Sequence, residues 1–173
     1  MKRRVTSRWI LGVLVIALAG CGYQFAGGGS LPGGISRVFI TMLENRSSQS
    51  GIESIFTNDL INEFTTSRKA SLVRDRSQAD GILTGAIVGL SVDNISRASI
   101  STVLERRVTG TLNLRLESQD GQVLWSSGNL VDHQDYAVGD GDQATKDSNQ
   151  WEAIVALSRK MAETAFKRMT DDF

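Results

Sequence analysis

The chain contains one cysteine, one proline and one histidine. A lone cysteine excludes a disulfide within the chain, so whatever domain it builds must stand on packing. A lone histidine, His133, excludes a two-histidine zinc site and any nucleophile–base set that needs a second imidazole. Beyond the first eight residues basic runs are missing as well, which removes the electrostatic footprint of a nucleic-acid binder. The one strongly apolar run, residues 9–19, is shorter than the roughly 20 residues that a hydrocarbon core requires.

The position of the cysteine makes sense of that run. Lys2, Arg3, Arg4 and Arg8 come first, then the apolar stretch, then Leu18-Ala19-Gly20 directly before Cys21. This is the layout of a secretory signal peptide, and the small residues before the cysteine resemble a bacterial lipobox. Cys21 is then the mature N-terminus, its sulfur carrying a diacylglycerol, a reaction suited to the thiolate as the best side-chain nucleophile. One acyl chain gives only marginal membrane binding; similarity to other bacterial lipoproteins implies three, palmitate among them.

Four of the 19 cations precede Cys21, which leaves 15 against 19 acids and a mature charge of about −4. The remaining 153 residues suffice for one domain with a proper core. We divide the chain into a signal peptide (1–20), a lipidated N-terminus with a glycine-rich tether (21–35) and a folded domain (36–173). The tether carries the only proline and no Gly-Lys-Ser/Thr, so it is not a phosphate-binding loop.

Within the domain, Val38, Ile40 and Met42 alternate with Arg37, Phe39 and Thr41, as in a strand. A turn is expected over 44–48. Ser50 and Glu53 have capping-box spacing, and Ile52, Ile55, Phe56, Leu60 and Phe64 then recur at helical intervals. The even positions Ile82, Ala86, Val88, Leu90 and Val92 predict a long half-buried strand with those side chains inward. The next strand alternates most cleanly: Val108, Leu112, Leu114 and Leu116 inward, with Arg107, Thr109, Thr111, Asn113 and Arg115 outward. Asp120-Gly121 suits a hairpin turn, and a fourth strand is expected from 122 to about 136. A polar loop should fill 138–148. A second helix starts at Asn149 and Glu152 and buries Ile154, Met161, Ala165 and Met169. The expected fold is an α+β two-layer sandwich, a mainly antiparallel four-stranded sheet with two helices on one face, in the order β-α-β-β-β-α.

No catalytic constellation emerges. His133 lies between Asp132 and Asp135, but its place in an alternating strand predicts an exposed strand residue rather than a general base. Asp140-Gly-Asp142 has part of a calcium-loop pattern, yet Trp151 stands where the glutamate belongs, so it reads as a flexible turn and no metal or cofactor is expected. The outward row of the third strand is more suggestive. Arg107 and Arg115, with Arg97 and Arg106 in or near the preceding connection, are candidates for holding phosphate-bearing lipid.

Cys21-Gly22-Tyr23-Gln24-Phe25, then Leu31-Pro32, Val38-Phe39-Ile40, Asn45 and Ala79-Asp80-Gly81-Ile82-Leu83-Thr84-Gly85 resemble the lipopolysaccharide-assembly lipoproteins, the LptE family. The element order is similar too. The resemblance implies a non-enzymatic outer-membrane lipoprotein on the periplasmic side, which plugs a β-barrel lipopolysaccharide translocon (LptD-like), aids its assembly and binds lipopolysaccharide. It does not assign the lipid-contacting cations. The competing class is a lipid-anchored activator of a cell-wall synthase. Such an activator needs a long spacer, whereas a tether of about 14 residues reaches at most about 50 Å.

Overall fold

The computed structural model describes residues 31–97, 103–139 and 141–171. The signal peptide, Cys21, the tether through Ser30, and Asp140 lie outside the described residues. From Leu31 onward the supposed tether is already packed. Leu31 and Ile35 are buried in the core on either side of a short 3-10 turn, Pro32–Gly34.

Seven strands follow: β1 (Arg37–Ile40), β2 (Glu44–Asn45), β3 (Ser71–Leu72), β4 (Gly81–Arg97), β5 (Val103–Ser118), β6 (Val123–Ser126) and β7 (Leu130–Ala137). Helix α1 (Ile52–Ser67) lies between β2 and β3, and helix α2 (Gln143–Asp171) closes the chain. The strands form one sheet in the order β3-β1-β4-β5-β6, with β2 also on β4 and β7 also on β5.

The expected mainly antiparallel four-stranded sheet is therefore corrected to a mixed seven-stranded one. β4, β5, β6 and β7 are antiparallel as expected, and Gly121 takes the positive φ of the hairpin turn. β1, however, runs parallel to both β3 and β4. The physical reason is the connection: α1 carries the chain from one end of the sheet back to the other, so the next strand starts in the same direction.

Both helices cover one face. Gly110 on β5 has no Cβ to hold α2 off; one added there would sit 3.1 Å from Leu157 and Met161. Val108, Leu112, Leu114 and Leu116 share the core with Phe56, Leu60 and Phe64 of α1 and Ile154, Leu157, Met161, Ala165 and Met169 of α2. The two helices meet edge-to-face through Phe64 and Phe166, ring centroids 4.9 Å apart. This is the two-layer arrangement that the apolar faces required.

Two irregularities change which residues face inward. On β4 the register pairs Leu83 with Leu116 and Ile87 with Leu112, then skips Val88 to pair Leu90 with Gly110 and Val92 with Val108. A bulge flips the parity, so Leu83 and Ile87 line the helix side before it and the expected even residues only after it. Ile82 and Ala86 are buried too, on the opposite face by register. Between β1 and β2 the chain likewise gains one residue against β4. Leu43 becomes the buried residue, while Met42, expected inward, is 63% exposed.

The helix starts also differ from expectation. Gly51, in a left-handed conformation, precedes α1, and Glu53 accepts from the Asn45 side chain at 2.8 Å instead of closing a box with Ser50. Helix α2 begins six residues early, because the Asp142 carboxylate accepts from the Thr145 amide at 2.9 Å and from its hydroxyl at 2.8 Å. Most of the expected 138–148 loop is thus helical. Asn149 is no cap: its amide donates to the carbonyls of Ala137 and Val138. The fourth strand is broken at Ser127-Gly128-Asn129 into β6 and β7.

Candidate functional site

The face of the sheet away from the helices carries the residues that the third predicted strand turned outward. Cross-strand rows run Thr84–Arg115–Ser126, Gly89–Thr111–Val131, Ser91–Thr109–His133 and Asp93–Arg107–Asp135 across β4, β5 and either β6 or β7. Neither helix lies over it, and hydroxyls, amides and charges predominate there, interrupted by the exposed valines Val88 and Val131.

The four candidate arginines do not converge. Arg107 and Arg115 share this face eight positions apart on β5, about 27 Å along an antiparallel strand. Arg107 is engaged by Asp135, Nε to Oδ1 at 2.7 Å and Nη2 to Oδ2 at 2.8 Å. That fork lowers the Asp135 carboxyl and raises Arg107 further, the side-chain hydrogen bonds being the main cause. Arg106 belongs to the other face, as a neighbour in a strand must, and donates Nε to Asn94 at 2.9 Å. Arg97 ends β4 opposite Val103 rather than lying in a connection, and its side chain is outside the described residues.

Arg115 is different: it is exposed and has no ion pair among the described residues. It lines a depression of about 430 Å³ with Glu44, Arg46, Thr84, Val88, Asn113 and Asn129, over the small residues Gly85 and Ala86. Arg46 is tied to Glu44 at 2.7 Å, and Asn113 donates to Asn129 at 3.2 Å. Sequence reasoning missed Arg46, because only the parallel pairing of β2 with β4 brings it beside Arg115.

His133 is exposed on this face, as expected. Neither neighbouring carboxylate is free to orient its ring: Asp135 holds Arg107, and Asp132 turns to the other side to accept from Lys160 at 2.7 Å. Among the described residues, no group of three or more His, Cys, Asp or Glu is placed to hold a metal ion.

The comparison with protein families decides what this scaffold is. The LptE family, described as lipopolysaccharide-assembly, matches residues 35–169. The chain belongs to the LptE family. This is a family of assembly lipoproteins rather than of enzymes. No curated protein matches the chain. Among solved structures, lipoprotein B from Nitrosomonas europaea is 16% identical and superposes with a TM-score of 0.61 over 87% of this chain and 92% of its own. Rare lipoprotein B from Shewanella oneidensis is 12% identical, with a TM-score of 0.56 over 79% and 96%. A minor lipoprotein from Acinetobacter baumannii is 10% identical, with a TM-score of 0.54 over 79% and 92%. At such identities these likenesses speak for the fold.

In this LptE chain the stretch Ala79–Gly85 is structural. Asp80 accepts from the Ser36 hydroxyl at 2.8 Å, the Arg37 amide at 3.1 Å and the Arg37 guanidinium at 2.5 Å, while its own amide donates to the Arg37 carbonyl at 2.9 Å. The Arg37 and Ser36 donors hold its carboxyl well below the usual carboxylate range. A Cβ on Gly81 would lie 2.8 Å from Ile35, and one on Gly85 would run into the Asn113 carbonyl oxygen. The motif therefore clamps β1 to β4 and lets β4 and β5 close up, which builds the exposed face without contributing a ligand.

Proposed function

We propose that this LptE-family chain is an outer-membrane lipoprotein, held on the periplasmic side through lipid on Cys21, that plugs a β-barrel lipopolysaccharide translocon and assists its assembly. The observation that carries this reading is the uncovered polar face of β4, β5 and β7. A barrel lumen is polar and water-filled. A wedge entering it gains nothing from an apolar exterior and needs hydroxyls, amides and charges that can pair with a wet wall. The sandwich meets that need by keeping most of its apolar surface between sheet and helices, with threonines, asparagine and arginines along the outward row of β5.

In the same reading, lipopolysaccharide in transit meets the arginines of this face. Arg115 is the prime contact, because its guanidinium is not already engaged and can fork onto a phosphate. Arg107 contributes only if Asp135 releases it, while Arg106, on the opposite face of β5, stands outside this contact. Among the described residues no helix is long and apolar enough to cross a membrane; in this reading the lipid on Cys21 is the attachment.

Affinity purification of the full chain from gently solubilised cell membranes tests the reading. A stoichiometric outer-membrane β-barrel should accompany it. Recovery free of any barrel, or with a cell-wall synthase in its place, rejects the plug role.

A further inference from the structure

Strand β7 forms one border of the sheet. It pairs with β5 alone among the described residues. At eight residues it is longer than the usual strand of about 5–6, and such an edge is a template for another chain. Which of its main-chain groups face outward follows from one bond. The His133 amide, a single donor, goes to the Asp132 carboxylate at 2.8 Å rather than to β5. His133 therefore faces the open edge, and with the antiparallel alternation so do Val131, Asp135 and Ala137.

Three of the four outward carbonyls are already occupied by side chains. Lys160 on α2 donates to His133 O at 3.3 Å while its ammonium is anchored on Asp132 at 2.7 Å. Gln134 donates to Asp135 O at 3.0 Å, and Asn149 on α2 to Ala137 O at 3.2 Å. Two of these donors reach over from the helix layer, although a groove of about 420 Å³ between β7 and α2 leaves the edge open to solvent. Exposed carbonyls do not need such partners, since water satisfies them. Their systematic capture has a consequence only for something that would bond there instead.

We propose that Lys160, Asn149 and Gln134 guard the free edge of β7 against pairing with a second copy of this chain. A second copy is the competitor to exclude because two β7 edges are related by a two-fold axis and match themselves in antiparallel register, the commonest geometry of self-association. An incoming strand must find free acceptors along the edge, and here it meets an ammonium and two carboxamides that have taken them. The inference does not depend on the translocon reading.

The test is sedimentation velocity of the full chain in detergent, as wild type and as K160M/N149A. The wild type should be monomeric, and the double variant should double its protein mass as concentration rises. Adding Val131→Pro, which deletes an outward amide that β5 does not use, should return it to monomer. A wild type that already dimerises, a natively folded double variant that stays monomeric, or a dimer that survives the proline overturns the proposal. If circular dichroism shows the double variant unfolded, N149A alone, which frees the Ala137 carbonyl, decides by the same measurement: it should associate more strongly than the wild type, and a folded N149A as monomeric as the wild type overturns the guard.

Discussion

Gly85→Ala and Gly89→Ala form a matched pair of perturbations four residues apart on β4. At Gly85 the new Cβ would meet the Asn113 carbonyl oxygen, sit 2.6 Å from Leu114 Cδ2 and lie 3.2 Å from Leu114 Cα. Two of those atoms are backbone of the neighbouring strand, so no rotamer change relieves the clash and β5 itself must move. Overpacking of this kind costs about 1–3 kcal/mol, and immovable main chain places it at the upper end. Against that stands a gain of about 0.4–1 kcal/mol from the lower entropy of the unfolded alanine chain. The net loss is about 2 kcal/mol. At Gly89 nothing lies within 4 Å of the added carbon, so only the gain of about 0.4–1 kcal/mol remains. For a domain of this size each kcal/mol moves the melting temperature by about 2–4 °C. Thermal melts followed by circular dichroism should therefore show Gly85→Ala lower by roughly 4–8 °C and Gly89→Ala level or slightly higher. Equal shifts in the two variants, or an unharmed Gly85→Ala, would refute the claim that β4 and β5 touch closely there.

Phe64→Ala removes a fully buried ring and its edge-to-face contact with Phe166, and urea unfolding should register a loss of about 3–5 kcal/mol; a loss under about 1 kcal/mol would mean that the helices do not depend on this contact. Asp80 gives a pH signature. Its folded carboxyl is held below the unfolded value of about 3.9, so its stabilisation is complete above that value and is lost as pH falls through the folded pKa. Melting temperature against pH should fall more steeply on the acid side for wild type than for Asp80→Asn, and parallel curves would contradict this. Cys21→Ser should move the protein from the membrane to the soluble periplasmic fraction, because the acyl chains it would otherwise carry are the proposed attachment.

Features set by local chemistry were legible in the sequence. The alternation Val108 to Leu116, the turn at Asp120-Gly121 and the apolar stripes of both helices needed no knowledge of distant residues. The parallel half of the sheet was not legible, since it depends on α1 returning β3 and β4 beside β1. Nor was the parity switch at Val88, because a bulge leaves no mark on the periodicity until a partner strand reveals the skipped residue. The early start of α2 does have a local signal: Asp142, three residues before Thr145, is an ordinary cap, but the glycines beside it give the segment the composition of a loop. At the candidate site the exposed row of β5 was foreseen residue by residue. Arg106, expected in or near the connection before the third strand, lies within β5, where alternation sends it to the face opposite Arg107, and Arg46 arrives only through long-range pairing.

Under the proposed plug role, the polar face of β4, β5 and β7 docks into a membrane-embedded barrel. Photocrosslinking in living cells tests it directly, with the reactive side chain placed at Thr111 on that face or at Glu163 on the helix layer. Adducts to an outer-membrane β-barrel should form from position 111 in clear excess over position 163. Adducts from position 163 alone, or capture of a soluble periplasmic enzyme from position 111, would contradict it.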